Sequence, residues 1–262
     1  MATTAVPLGP LAHSENTSRH ASAAAPAKPD FPFYNGEPVR VSGARWLVVL
    51  AGVAAGAAAD LLVAVPGPVW VSTTVRAALF VGIPLFAYMI AIPGHWRTIF
   101  RRVRFVDVLM MVGVAALNLV VTAIAGTVAA LLTHTSANGM GASLHGMDLM
   151  DRIMTFLSMI PQLLGEEVFT ILPLLAILWF AVTKLHLPRT VAVILAWVVT
   201  AVLFGLLHLP TYGWNIVQCL VTIGAARLVL SLAFLRTKNI WVSTGAHVLN
   251  DWTLFALPLL LA

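Results

Sequence analysis

Five residues of this 262-residue chain have types and spacing suited to chemistry: Glu166 and Glu167, His208, and the pair His247 and Asp251. Glu166 and Glu167 follow Gly165 inside an apolar run over 161–183. A charge at the centre of a hydrocarbon-length segment costs about 2.5–3.5 kcal/mol by insertion scales, and a lipid-facing surface offers nothing to offset it. The pair must therefore face a protein interior or a wet cavity. Neighbours on a helix point about 100° apart, so one carboxylate can face a cavity while the other meets an adjoining helix. His247 and Asp251 are four residues apart and share a helix face. His208 ends a separate apolar run just before Leu209-Pro210. Asn250 lies on a different face from Asp251. The histidines at 13, 20, 95, 134, 145 and 186 fall in the tail, loops or span edges and receive no role.

A glutamate and two histidines in a low-dielectric site suit the activation of water. The carboxylate acts as general base, and a histidine donates to a developing oxyanion. An Asn or a protonated Asp beside the second histidine could share that task. The same groups have another use, since two His and one Glu form a zinc ligand set with an open water position. No His-Glu-x-x-His pair is present to favour it.

Elements that place such residues in a membrane are legible from composition. The chain is 60% hydrophobic and 10% charged, against roughly 25% charged in soluble domains. It reads as an all-α, polytopic membrane helix bundle. Cys219 is the single cysteine, which excludes a disulfide framework. The net charge of +5 is no nucleic-acid signal, because the basic residues sit between apolar spans. Residues 1–45, rich in Ala, Pro, Ser and Thr, read as a disordered cytoplasmic tail with no short apolar stretch of a signal peptide. A docking role for Phe31-Pro32-Phe33-Tyr34 has no support in the sequence.

Seven stretches approach the roughly 20 apolar residues that a span needs: 46–65, 69–92, 106–132, 161–183, 190–208, 212–235 and 240–261. Residues 151–160 read as an interfacial helix leading to a break at Pro161. Residues 46–150 then form accessory spans and 151–262 a catalytic bundle. Lys and Arg cluster in alternate connections: Arg97, Arg101, Arg102 and Arg104; Lys184 and Arg189; Arg236 and Lys238. The connections 66–68, 134–150 and 209–213 have none. This asymmetry predicts a cytoplasmic N-terminus and an external C-terminus. Glu166 and His208 then fall toward the outer half of the bilayer and His247 about two turns from the cytoplasmic side, a gap that tilt or a kink must close.

Two other intramembrane charges need partners. Asp60 and Arg76 flank one tight hairpin and read as a structural ion pair. Arg227 is placed to snorkel to the interface, or else to pair with Glu166, Glu167 or Asp251.

These residues resemble the CAAX prenyl protease and bacteriocin-processing family, also called the Abi family, of intramembrane glutamic proteases. Its motifs, Glu-Glu-x-x-x-Arg, Phe-x-x-x-His and His-x-x-x-Asn/Asp, occur in order on successive membrane helices. Here they correspond to Glu166-Glu167, to Phe204 with His208, and to His247 with Asp251. The stretch 235–241 is similar to the family's lead-in to the third motif. The resemblance covers about residues 155–258. It implies an intramembrane endopeptidase in which Glu166 activates water with help from His208, while His247 and Asp251 form the oxyanion site. It implies no cofactor, with zinc as the alternative, and a membrane-associated or prenylated protein or peptide as substrate. Ile171 stands where the first motif has Arg. We expect Arg227 to supply the missing cation. The departure also motivates a second reading, a non-catalytic member that binds or sequesters a peptide. A proton-coupled transporter using the buried carboxylates is a third, against which no internal repeat is seen. An Ala-rich chain of this kind fits a bacterial plasma membrane.

Overall fold

A computed structural model describes residues 1–2 and 30–261. Eight helices are named here: α1 (Gly43–Leu62), α2 (Val69–Ala91), α3 (Phe105–Leu132), α4 (Gly139–His145), α5 (Leu149–Thr183), α6 (Arg189–Leu207), α7 (Ile216–Thr237) and α8 (Ile240–Leu261). Six of them, α1–α3 and α5–α7, are long and apolar enough to cross a membrane. The seventh expected span, α8, has the length at 22 residues, but His247, Asn250 and Asp251 lower its hydropathy. Outward faces are apolar: Leu109, Val112, Val120 and Ile124 on α3 are all exposed. Such faces belong in lipid, where helices satisfy their own backbone polar groups.

Helix α5 is the axis. It runs 35 residues without interruption through Pro161 and Pro173, about 50 Å at 1.5 Å per residue. The expected break at Pro161 and the separate interfacial helix over 151–160 are therefore replaced by one helix. Proline is tolerated in membrane helices where surrounding groups satisfy the freed carbonyl. The short helix of the preceding connection is α4 instead, opened by Asn138, whose side chain accepts from the Met140 amide. Glu166 lies midway between Leu149 and Thr183. This removes the depth mismatch, since the longer helix carries Glu166 and Glu167 to its middle, where α8 can meet them. Around α5, α2 and α6 pack on separate sides, α1 joins α2 in a hairpin, and α3 closes on α7 and α8.

Parity follows from the short connections. The Arg- and Lys-bearing connections share one end of the bundle, here the basic end. The connections after α1, α3 and α6 share the other, charge-poor end.

The disordered tail expected through residue 45 is corrected for residues 30–45; residues 3–29 lie outside those described. Phe31, Phe33, Tyr34 and Val41 are buried in the main core with Trp46, Tyr88 and the second half of α5. Phe33 packs edge-on to Trp46 and Tyr88, with centroids 6.2 and 6.3 Å away. Asp30 pairs with Arg189, and the Lys238 ammonium sits 3.8 Å from the Phe31 ring centre. An average over Ala, Pro and Ser hides this aromatic cluster, which supplies the buried area that orders the segment.

Lys238 is buried between α7 and α8, and burial pushes its ammonium down from 10.5 to about 8. Within that window the unfolded chain binds more protons than the folded one. The stability of this corner is therefore lowest below pH 8 and rises as the pH climbs toward 10.5. Thermal unfolding of the purified protein across the window checks this, and Lys238→Met is expected to flatten the dependence.

Candidate active site

The two adjacent carboxylates diverge as helical geometry requires. Glu167 points into the junction of α5, α7 and α8 and is fully buried. Its Oε1 lies 2.7 Å from Arg227 Nη2 and accepts from His247 Nδ1 at 2.9 Å. Glu166 is partly exposed and lines a cavity of about 500 Å³. The helix gains this position through Gly165, where a Cβ would come within 2.5 Å of the Phe80 ring on α2. Glycine allows that close approach, and α5 sits flush on α2 behind the carboxylates.

Arg227 is 0% exposed, so it does not snorkel. It closes an ion pair with Glu167, the arrangement expected if it replaces the motif arginine. Ile171 is packed in the apolar core. The other face of the guanidinium meets the Phe204 ring, 4.8 Å from its centre. Cation–π contact of this kind favours a desolvated Arg. A buried ion pair needs such extra partners to offset its desolvation.

Because Nδ1 of His247 donates to the Glu167 carboxylate, Nε2 faces the cavity. It lies 3.7 Å from Glu166 Oε2 and 3.7 Å from Asp251 Oδ1. One imidazole therefore stands among three carboxylates. Asp251 is oriented by a relay: Asn118 Nδ2 on α3 donates to Asn250 Oδ1 at 3.0 Å, and Asn250 Nδ2 donates to Asp251 Oδ1 at 2.9 Å.

His208 caps the C-terminus of α6. Its Nδ1 donates to the Phe204 carbonyl at 2.9 Å, which leaves Nε2 as the free nitrogen. The ring lies against Phe204, with centroids 4.6 Å apart, and lines the same cavity as Glu166. It touches neither glutamate directly. The turn is held close to α7 at Gly205, where a Cβ would sit 2.7 Å from the Cys219 carbonyl. Residues Cys219–Gly224 of α7 form a π-helical segment at this contact, a geometry frequent beside functional sites.

All five expected residues thus border one centre. Asn118 and Asn250 belong to it as well. Asn250 faces inward despite its offset from Asp251, because its side chain bridges to α3. The signal available for Asn118 is an amide inside an otherwise apolar span, which calls for a partner in lipid. Asp60 and Arg76 form the expected ion pair, at 3.6 Å, and line the far part of the cavity. Among the described residues no group of three His, Cys, Asp or Glu side chains is placed to hold a metal ion. His247 Nδ1 is already committed to Glu167.

The fold and this centre define a class: an integral, multi-pass membrane protein with a carboxylate–imidazole site buried between helices. Residues 149–253 match the family model of type II CAAX prenyl endopeptidase Rce1-like proteins, and this segment carries all five site residues. No curated protein and no solved structure matches the chain.

Proposed function

We propose that this chain is an intramembrane endopeptidase that uses Glu166 to activate water. One observation carries the reading: of two adjacent glutamates, Glu167 is consumed by Arg227 and His247, while Glu166 is left facing a cavity beside a second imidazole face. A separation of 3.7 Å between Glu166 Oε2 and His247 Nε2 suits a bridging water better than a direct bond. Glu166 takes a proton from that water as its oxygen bonds to the scissile carbonyl carbon. The carbonyl oxygen gains the electron pair and is stabilised by the Nε2 proton of a doubly protonated His247, an imidazolium that the carboxylates of Glu166, Glu167 and Asp251 surround and whose Nδ1 proton stays directed at Glu167. Collapse breaks the C–N bond, and the proton held by Glu166 passes to the departing amine. The products are a new carboxylate and a new N-terminus. Asp251, held by Asn250, keeps the imidazole in place, and the free Nε2 of His208 is available to relay a proton across the cavity.

The ion pair of Arg227 with Glu167 supports the catalytic reading over the peptide-binding one. The substrate is a membrane-associated polypeptide, and the membrane is a bacterial plasma membrane with the N-terminus inside.

Profiling of new peptide N-termini in membranes tests this reading. Cells expressing the wild-type chain are expected to show termini missing from cells expressing His208→Ala at equal abundance. Identical profiles would favour the binding reading.

A further inference from the structure

A second cavity lies on the outside of the bundle, apart from the site that holds Glu166. It is a groove of about 350 Å³ between α3 and α7 at the basic end, lined by Met110 and Val114 of α3 and by Leu232, Leu235 and Arg236 of α7. Met110 and Val114 are four residues apart, as are Leu232 and Arg236, so each pair shares one face of its helix. The floor is apolar, and the neighbouring Leu109 and Val112 are exposed. From the start of α3 at Phe105 the groove reaches about 13 Å inward to Val114. Arg236 lies at its mouth, one residue before the end of α7.

Positive charge gathers at that mouth. Asn239 staples the α2–α3 connection to the turn between α7 and α8. Its Oδ1 accepts from the Arg101 amide at 3.1 Å, and its Nδ2 donates to the Arg101 carbonyl at 3.2 Å. Arg101 and Arg102 are thereby held beside the end of α7 that carries Arg236, and all three side chains are exposed. Arg104 is neutralised by Asp107 at 3.3 Å. No carboxylate among the described residues pairs with Arg101, Arg102 or Arg236. Lys238 senses the same charge: burial first, and then Arg189, Arg236 and Arg101, push its ammonium down. Trp241 is 42% exposed and lies against Phe100, with ring centroids 5.4 Å apart. An exposed tryptophan at the end of a span marks the level of the lipid headgroups.

We propose that this groove binds one anionic glycerophospholipid, whose phosphate meets Arg236 together with Arg101 or Arg102 and whose acyl chain lies on Met110, Val114, Leu232 and Leu235. Only an occupant that is apolar at depth and anionic at the surface satisfies both halves of the groove. Basic pockets between membrane helices take acidic headgroups in this way. A zwitterionic headgroup would bring its own cation to a mouth that already carries three uncompensated guanidiniums. The bound lipid has a mechanical consequence. Met110 and Val114 pack on Leu230, Ala233 and Ala246, and α3 approaches α8 so closely that a Cβ at Gly245 would come within 2.5 Å of the Met111 sulfur. A chain filling the seam therefore clamps α3, with Asn118, against the helices that carry Arg227 and His247.

Native mass spectrometry of the delipidated full chain in detergent, titrated with phosphatidylglycerol or phosphatidylcholine of the same acyl chains, tests the proposal. One phosphatidylglycerol per chain is expected to be retained in preference to phosphatidylcholine, and to raise the midpoint of thermal unfolding. Arg236→Gln is expected to weaken that binding about fivefold, the usual effect of one basic residue on an acidic lipid, and to reduce the thermal shift. Val114→Trp fills the groove and is expected to weaken binding as well; Leu232→Phe repeats that arm should the first variant fail to accumulate. Lys184→Gln, at the same end but beside Trp179, is expected to bind like wild type. Equal retention of the two lipids would overturn the proposal. So would wild-type affinity in both Arg236→Gln and Arg102→Gln, or an equal loss in Lys184→Gln, which would mark diffuse surface charge. Glycerol 3-phosphate that displaces the lipid completely, with both groove-filling variants binding normally, would show a headgroup contact without a groove and overturn it too. Binding is read without turnover, so the result is independent of the proposed peptidase.

Discussion

Glu166→Gln is expected to lower kcat on a cleaved peptide by about 10²- to 10⁴-fold, the usual contribution of a positioned general base. KM is expected to stay near the wild-type value, because the amide keeps the size and hydrogen-bonding reach of the side chain while losing only the proton-accepting charge. The protein should remain folded. Glu166 faces the cavity, and its nearest charged partner is His247 at 3.7 Å, so no tight buried pair is broken. Glu166→Asp keeps the charge but draws it back by a methylene, and an intermediate rate is expected. Initial rates of purified protein in lipid, over a range of peptide concentrations, separate the two parameters.

Arg227→Met has the largest expected effect on stability. Arg227 and Glu167 are both fully buried and 2.7 Å apart. Removing one member of such a pair strands the other charge in a low-dielectric interior, which costs about 3–5 kcal/mol. His247 still donates to Glu167 at 2.9 Å, and that contact alone does not replace a guanidinium. The double variant Arg227→Met with Glu167→Gln removes the stranded charge, and most of the loss is expected to return. Thermal unfolding in detergent of wild type, the two single variants and the double variant gives the coupling directly. Unchanged folding and activity in Arg227→Met would end the idea that this residue replaces the motif arginine.

How much of this site could be read from sequence depended on how costly each group is in lipid. Glu166, Glu167, Arg227 and Asp251 were legible because a charge among apolar residues demands a partner. Asn118 escaped because an amide costs less and leaves its partner unspecified. Which glutamate faces the cavity was beyond sequence, since an angle of about 100° separates them without saying which side is which. Pro161 misled in the other direction, because rules drawn from soluble helices read it as a stop, whereas α5 continues through it. That one error shifted Glu166 toward a membrane surface and created the apparent mismatch with His247. The tail was misread because composition averages dilute three aromatics among small residues, and their burial depends on a core that forms elsewhere in the chain.

The central claim is a division of labour between neighbours: Glu166 reacts and Glu167 holds. Glu166→Gln and Glu167→Gln, purified and assayed side by side for thermal unfolding and for cleavage of one peptide, test it most directly. The account predicts a Glu166→Gln protein that unfolds like wild type and does not cleave, and a Glu167→Gln protein whose unfolding is shifted by the loss of its contacts with Arg227 and His247. A Glu166→Gln protein that cleaves at the wild-type rate, beside a fully stable and inactive Glu167→Gln protein, would contradict it.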